Sequence, residues 1–187
     1  MSTQPLYRLT YASRSTFKPF LNEGGVDDNI AQILNTARES NKKAGLVGAL
    51  YYGNGCFFQC LEGKKEQIDL LFEKLLKDSR HKDLKILSYQ PIVSSGFSSW
   101  EMKYATIDNE VRSFLRQYGI TKFDPYKFND QMTANLVEML QKADEAHQQD
   151  ILVDANSMAL ATSYQNTNFM ILAIVSILIV LTFFYLV

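Results

Sequence analysis

The run GCFFQCL at residues 55–61 is the feature that most limits the possible folds, because it is apolar throughout apart from Gln59. A short apolar run that begins after turn residues is typical of a strand that is buried on both faces. Such a strand must lie inside a sheet that is covered on both sides. Gln59 must also meet a polar partner there, since an unpaired buried amide costs about 1 to 3 kcal/mol.

The surrounding sequence supplies the other strands and two helices. Alternating apolar residues predict strands at Leu6–Ala12, Leu46–Tyr52, Cys56–Leu61, Ile86–Val93 and Trp100–Thr106. Apolar residues at helical spacing predict helices from Asp27 or Asp28 to about Asn41 and from about Lys65 to Asp78. This order, βαββαββ, predicts an α+β fold with a ferredoxin-like mixed sheet and both helices on one face.

The second face of this sheet also needs cover. Amphipathic segments at about 109–118 and 130–146 can supply two C-terminal helices for it, and Gly119 is a stop signal between them. Between the second and third strands, Gly53-Asn54-Gly55 predicts a tight hairpin, because Asn and Gly tolerate positive φ.

The composition argues against several classes of function. Lys and Arg number 19 against 20 Asp and Glu, and no basic stripe indicates binding to nucleic acid. Cys56 and Cys60 are four residues apart on one strand, so their Cα atoms lie about 13 Å apart, too far for a disulfide. With two histidines and no Cys/His cluster, we expect no metal site.

The last 19 residues, Phe169–Val187, carry no charge and only two polar residues, Ser176 and Thr182. At about 1.5 Å per residue, a helix of this length nearly spans a hydrocarbon core of about 30 Å, so we predict a C-terminal transmembrane helix. A buried core or oligomerisation helix is the alternative. Met1–Tyr11 has no apolar export signal and the cysteines read as reduced, so we expect a cytosolic body.

Three polar residues come from three different predicted elements. Tyr11 lies at the end of the first strand, Asn41 near the end of the first helix, and Gln59 in the third strand. Their positions in the strand and helix periods direct all three toward the two-helix side of the sheet. A phenol and two amides on one buried side indicate a site for a polar ligand.

Five separated segments resemble the BLUF family, the sensors of blue light that use flavin. They are LYRLTYAS at 6–13, Asn41 with GLVG at 45–48, FFQCLEG at 57–63, DSRH at 78–81, and WEM at 100–102. All five occur in order and at plausible spacing. The resemblance implies a flavin-binding domain at 1–107. To this the sequence adds capping or output helices at 108–147, a linker at 148–168 and the predicted anchor at 169–187.

The resemblance also implies which residues bind the flavin. They are Tyr11, Ile33, Asn41, Gln59, Lys74, Leu75, Arg80, His81 and Met102. Among them, Tyr11 and Gln59 would be the photoactive pair, and Asn41 would hold the edge of the isoalloxazine ring. Ile33 and Leu75 would enclose that ring.

The remaining assignments concern the tail of the cofactor and the output. The resemblance implies that Lys74, Arg80 and His81 contact the flavin or its phosphate-bearing tail. Trp100 and Met102 would carry the signal outward. Ser40 departs from the family pattern, since many members have Asn or His at this position, and this puts a second polar contact to the flavin in question.

The function implied by the resemblance is that of a blue-light photoreceptor that binds FAD, with FMN or riboflavin as alternatives. An excited flavin can draw an electron and then a proton from Tyr11, and Gln59 can reverse its hydrogen bonds by rotation or by tautomerisation.

Partners and location follow from the rest of the sequence. No catalytic output domain is recognisable, so the signal would pass to a separate signalling protein or through self-association as a homo-oligomer. We expect the chain at a bacterial inner membrane, anchored through Phe169–Val187, with the flavin domain facing the cytoplasm. The alternatives are a ferredoxin-like membrane adaptor that does not sense light, and a flavin redox enzyme. The chain has no GxGxxG turn, CxxC pair or histidine-based general base, which argues against the enzyme.

Overall fold

The computed structural model describes residues 5–16, 28–102, 108–146 and 149, with the side chains of all of these except 28–35 and 101–108. The chain divides into two units, Met1–Glu145 and Ala146–Val187. Apart from Gln149, the predicted linker and anchor lie outside the described residues. Within the described residues, no helix is long and apolar enough to cross a membrane. The anchor at Phe169–Val187 therefore stays a prediction.

The described part of the chain contains five strands, four α-helices and a short 3-10 helix. The strands are β1 (Leu6–Ser15), β2 (Val47–Gly53), β3 (Cys56–Lys64), β4 (His81–Ile92) and β5 (Trp100–Met102). The helices are α1 (Asp28–Lys43), α2 (Lys65–Leu76), α3 (Asp108–Gln117), the 3-10 helix (Pro125–Lys127) and α4 at 130–146. From β1 to β5 the elements follow the predicted βαββαββ order.

The five strands form one sheet in the order β4-β1-β3-β2-β5. β1 runs antiparallel to β3 and β4, β2 runs antiparallel to β3, and β5 runs parallel to β2. The predicted α+β class and mixed sheet are therefore confirmed. The apolar run of β3 lies at the centre of the sheet, and its residues are buried from Cys56 to Gly63.

The hairpin between β2 and β3 is as tight as its sequence predicts. Gly53 pairs with Cys56, which leaves a two-residue turn of Asn54 and Gly55. Both turn residues have positive φ, 49° for Asn54 and 74° for Gly55, as expected for the turn that suits the twist of paired strands.

Two apolar clusters occupy the two faces of the sheet. The first cluster packs α2 and the end of α1 on one face, with Tyr11, Leu50, Phe57, Ile68 and Leu75 among its members. The second cluster packs α3 and α4 on the other face, with Tyr51, Phe58, Phe114, Leu136 and Leu140 among its members. Successive residues of β2 and β3 alternate between the clusters, as a pleated strand requires. The predicted cover of both faces is confirmed.

Both cysteines belong to the second cluster. Cys56 and Cys60 are free and buried, in agreement with the spacing argument against a disulfide. Burial raises the pKa of the Cys60 thiol to about 12 and also raises the pKa of Cys56. Both side chains therefore act as small apolar residues of the core.

The predicted bounds of β1, β3 and β4 need correction, and β3 ends at Lys64 rather than Leu61. β4 begins at His81 rather than Ile86. It is an edge strand of the described sheet, and its first residues are mostly exposed and charged, so apolar and polar residues do not alternate there. Its pairing with β1 extends that strand to Ser15. β5 is described only as Trp100–Met102, and the rest of its predicted length lies outside the described residues.

Candidate functional site

A cavity of about 160 Å³ lies on the face of the sheet that carries the first cluster. Its lining consists of Thr36, Ala37, Ser40, Asn41, Leu50, Gln59, Leu71, Lys74, Leu75, Asp78, Arg80, His81 and Trp100. Most of the residues that the sequence assigned to a cofactor are therefore brought together from α1, α2, β3 and the turn that precedes β4. Ser40 is also present in this wall.

Tyr11 and Gln59 form a hydrogen-bonded pair beside the cavity. They face each other across β1 and β3, and the Tyr11 hydroxyl donates to Oε1 of Gln59. Tyr11 is fully buried and Gln59 is 5% exposed. Burial, with a smaller contribution from Asp78, raises the pKa of Tyr11, so its phenol keeps its proton. This arrangement leaves the donor end of the Gln59 amide for a group in the cavity.

Asn41 supplies the test of whether these residues fit a flavin. Its side chain is 1% exposed, and neither Nδ2 nor Oδ1 finds a partner within the described part of the chain. One edge of a flavin ring carries carbonyl groups on either side of an N–H, which can satisfy an amide donor and acceptor together. The orphaned Asn41 amide, with Gln59 in the same cavity, therefore fits this cofactor.

An ion pair occupies the end of the cavity near the start of β4. Asp78 accepts from Arg80 through Nε at 2.9 Å and Nη2 at 2.6 Å, and from its backbone N at 3.0 Å. The hydrogen bonds from Arg80 hold the pKa of the Asp78 carboxyl below its usual range. The contact of Arg80 with the phosphate-bearing tail stays a prediction, and the structure shows that the guanidinium is already oriented by a carboxylate.

His81 stands next to this pair on the first residue of β4. Its Nδ1 lies 2.9 Å from Oγ of Ser13, and its ring centre lies 4.8 Å from that of Phe57. Burial lowers the pKa of His81, so the imidazole is held in its neutral form. A neutral imidazole offers one donor and one acceptor, which suits hydrogen bonding better than charge pairing.

Trp100 closes another part of the cavity wall. It is 4% exposed, pairs with Gly48 across β5 and β2, and its indole Nε1–H has no partner within the described residues. It also lines a neighbouring cavity of about 430 Å³ together with Arg38 and Lys42. The predicted output residue thus lies in direct reach of whatever the first cavity holds.

The structure describes the side chains of only some of the other predicted binding residues. Leu75 lies in the cavity wall, and Lys74 is an exposed residue at its edge. Ile33 lies in α1 and Met102 in β5, but the side chains of both are outside the described ones. Their contacts with a flavin stay predictions.

Sequence reasoning missed several members of the wall. They are Thr36, Ala37, Leu50, Leu71 and Asp78. Asp78 carried a usable signal, because a carboxylate two residues before Arg80 can bind the guanidinium and the intervening backbone N–H together. Within the described residues, no group of acidic, cysteine or histidine side chains could hold a metal ion.

Comparison with known protein families identifies the family to which this chain belongs. The family model described as BLUF, sensors of blue light using FAD, matches residues 6–103. This match spans more than half of the chain, so the chain belongs to the BLUF family. It contains a flavin photoreceptor domain, and the cofactor of that domain is FAD.

Individual relatives agree with the family match. The structure is similar to BlsA in its photo-activated state, with 36% identity and a TM-score of 0.62 over 73% of this chain and 94% of that one. The ground state of BlsA gives 35% identity and a TM-score of 0.63 over 73% and 87%. BlrB, described as a BLUF protein in its dark state, shares the fold at 23% identity and a TM-score of 0.58, over 76% of this chain and 99% of that one.

The curated relatives are much longer proteins. The alpha subunit of the photoactivated adenylate cyclase of Euglena gracilis is 36% identical over 104 residues, which are 56% of this chain and 10% of that protein. The beta subunit from Euglena longa is 34% identical over 56% of this chain and 12% of that protein. The chain spans about a tenth of the length of these relatives, and the domain that they share with it is a sensor rather than a catalyst.

Proposed function

We propose that this chain is a blue-light photoreceptor in which the cavity beside β3 holds FAD and the pair of Tyr11 and Gln59 forms the switch. The observation that carries the proposal is the hydrogen bond from the buried Tyr11 hydroxyl to Gln59, next to the orphaned amide of Asn41. Asn41 would fix the ring edge, and Leu75 would pack on the ring. Arg80, held by Asp78, would face the phosphate-bearing tail.

The chemistry of the pair follows from its hydrogen bond. FAD, when bound, absorbs blue light and becomes a strong acceptor of an electron. Tyr11 keeps its proton in the dark because burial raises its pKa. When an electron leaves the phenol, the proton becomes strongly acidic, and the hydrogen bond to Gln59 Oε1 gives it a direct path away.

Gln59 then serves as the element that stores the change. The two ends of its amide have almost the same shape but opposite hydrogen-bonding character, so rotation or tautomerisation reverses its bonds without moving β3. Gln59 is 5% exposed, so water gives little substitute hydrogen bonding and the two arrangements stay distinct. Trp100, in the same wall, is the nearest route by which this change would reach β5.

The output would leave the chain through other molecules. We assign no catalytic activity to it and propose a separate signalling protein, or self-association as a homo-oligomer, as the receiver. Phe169–Val187 would anchor the chain in a bacterial inner membrane with the flavin domain on the cytoplasmic side. Sequence alone supports this anchor, through 19 uncharged residues at the C-terminus.

The test of the switch is absorption spectroscopy on the full-length chain purified in a mild detergent. We expect bound flavin and a reversible red shift after blue light. Tyr11→Phe should keep the flavin and lose the shift, whereas Tyr7→Phe, four residues earlier on the same face of β1, should retain both. A colourless protein would favour the adaptor, bleaching to reduced flavin would favour a redox enzyme, and a persistent shift in Tyr11→Phe would refute the switch.

The anchor is tested separately. Full-length protein should sediment with membranes and be released by detergent, whereas a chain truncated after Gln149 should stay in the supernatant. Protease added to intact spheroplasts should leave the flavin domain uncut. Recovery of the full-length chain in the supernatant without detergent would refute the anchor and leave the photochemistry untouched.

A further inference from the structure

Glu62 is a buried carboxylate on the face of β3 opposite to Gln59. It is fully buried, and its Oε1 accepts from Arg8 through Nε at 2.7 Å and Nη2 at 2.6 Å. Its Oε2 accepts from Oγ of Ser95 and from the backbone N of Gly96, both at 2.7 Å. Gln141 of α4 adds a contact from Nε2 to Oε1 at 3.4 Å. One carboxylate thus joins β1, β3, α4 and the loop between β4 and β5.

Asp144 of α4 binds the same loop at Ser98, three residues after the Ser95 that Glu62 binds. It is 2% exposed, and its Oδ2 accepts from the backbone N of Ser98 at 2.9 Å and from Oγ of Ser98 at 2.8 Å. Between the two carboxylates, Phe97 is 6% exposed and lies in the second cluster. We call Glu62, Asp144 and the loop at 95–98 the carboxylate clamp.

The loop in the clamp has little freedom. A Cβ atom placed on Gly96 would lie 1.8 Å from Nε2 of Gln141, so the loop backbone packs directly on α4. Ser95 Oγ also accepts from the backbone N–H of Phe97 at 3.2 Å. The position of this loop therefore depends on α4 and on Glu62 together.

The loop leads directly into the wall of the flavin cavity. Ser98 precedes Trp100 by two residues, and the carbonyl of the intervening Ser99 accepts from the N–H of Gly48 at 2.9 Å. Trp100 lies in the cavity wall together with Gln59. Any displacement of Ser98 must consequently be absorbed within two residues of the indole.

We infer that Glu62 and Asp144 are positioning residues for the light reaction, which hold Trp100 in the cavity wall through the carboxylate clamp. Neither carboxylate belongs to the cavity lining, so both act through the loop. This inference rests on the proposed function, because it assigns the clamp a role in the recovery of the same switch. Coupling of this kind is reciprocal, so a partner that moves α4 would also alter the environment of Trp100.

The first experiment reads Trp100 directly, since it is the only tryptophan in the chain. In the flavin-free, full-length protein, Asp144→Asn should shift the emission of Trp100 to longer wavelength and increase its quenching by acrylamide. Glu145→Gln, which changes the next residue on the exposed side of α4, is the matched control and should leave both unchanged. Identical emission and quenching in Asp144→Asn and the unmodified protein would overturn the inference.

The second experiment measures dark recovery of the flavin-loaded protein. Asp144→Asn should retain the red shift but recover about tenfold faster, because the hydrogen bonds from Ser98 lose the charge of their acceptor, and a loss of this kind changes a barrier on that order. Ser98→Ala should accelerate recovery less, since the backbone N–H of Ser98 remains. The double variant should recover more slowly than the two single effects combined would give, because both changes weaken the same contact between Ser98 and residue 144. Unchanged recovery, or effects that simply add, would overturn the inference.

Two further outcomes separate the inference from the proposed function. If Glu62→Gln folds, it should change the emission of Trp100 and the dark recovery more than Asp144→Asn does. If it does not fold, the Asp144 and Ser98 variants test the inference. If the unmodified protein shows no red shift, the proposed function fails while the emission of Trp100 still tests the clamp. If the red shift is present and neither emission nor recovery responds to Asp144→Asn, the clamp fails and the photoreceptor stands.

Discussion

Two buried polar groups on opposite faces of the sheet, the Asn41 amide and the Glu62 carboxylate, differ in how their polar atoms are paired. On the face of α1 and α2, the Asn41 amide and the Trp100 indole have polar atoms that lack partners within the described residues, and a cavity lies beside them. On the face of α3 and α4, the Glu62 carboxylate accepts from Arg8, Ser95 and Gly96. The unpaired amide of Asn41 lies beside a cavity and is suited to a ligand, whereas the paired carboxylate of Glu62 joins the protein's own elements.

This difference assigns separate tasks to the two faces. Leaving an amide unpaired costs about 1 to 3 kcal/mol in the flavin-free chain, which a ligand can return on binding. The paired carboxylate offers nothing to a ligand, because its lone pairs already accept from β1, α4 and the loop between β4 and β5. On the proposed function, the first face would respond to light and the second would pass a displacement on.

The largest expected effect is that of Glu62→Gln. In the flavin-free chain it should lower the free energy of unfolding by about 3 kcal/mol or more, because Arg8 would lose its buried counter-charge. The NH2 of the new amide would also face the N–H of Gly96 and the hydroxyl of Ser95, which donate to the carboxylate in the unmodified protein. Urea denaturation measures the change, and Glu66→Gln, an exposed carboxylate on α2, should change stability by no more than about 0.5 kcal/mol. Equal losses in both variants would break the comparison.

Asn41→Leu should have a smaller effect of the opposite sign. In the flavin-free chain it should stabilise the fold by about 1 kcal/mol, since it removes an unpaired amide of similar volume. Binding of FAD should weaken by about tenfold or more as the ring edge loses its partner. Asn135→Leu is the matched control, because that amide already bonds Gln131 and Tyr118. Destabilisation of the flavin-free chain by Asn41→Leu would contradict the comparison.

The smallest expected effect is a dependence of stability on pH that arises from His81. Burial lowers its pKa in the folded chain, so the unfolded chain binds a proton more readily. The stability that neutral His81 contributes is complete above about pH 6.5 and is lost as the pH falls toward the folded pKa. Urea unfolding at about pH 7.5 and about pH 5.5 should show a steeper loss in the unmodified protein than in His81→Gln.

The range from about pH 7.5 to about pH 5.5 separates the titration of His81 from that of Asp78. The pKa of Asp78 is held down by Arg80, so its contribution is lost only at more acid pH. Equal loss of stability in the unmodified protein and in His81→Gln would show that another group causes the dependence.

The order of elements and the shared face of Tyr11, Asn41 and Gln59 could be predicted, because both depend on the local spacing of apolar residues along the chain. Alternation placed Tyr11 and Gln59 on one face of the sheet, and helical spacing placed Asn41 on the core side of α1. The start of β4 could not be found in this way, because an edge strand exposes polar residues along both of its faces. Arg80 was assigned to the flavin tail without its partner Asp78, although the two are separated by one residue.

The network around Glu62 was missed for a different reason. Its partners Gly96 and Gln141 come from distant parts of the chain, and no local period relates them to β3. Part of the network was nevertheless accessible, because a carboxylate in a buried strand needs a counter-charge as surely as Gln59 needs a partner. Arg8, on the opposite face of β1 from Tyr11, was the available one.

The state of the two cysteines has a practical and a chemical consequence. Cys56 and Cys60 are buried and their thiols stay protonated at neutral pH, so neither presents the thiolate that alkylating reagents and peroxides attack. A flavin under illumination can generate oxidants close to the protein, and these thiols lie on the other face of the sheet from the cavity. Because they are so unreactive, a single cysteine placed on the surface of α4 would take a spin label or a dye selectively, and motion of that helix after a flash could be followed in real time.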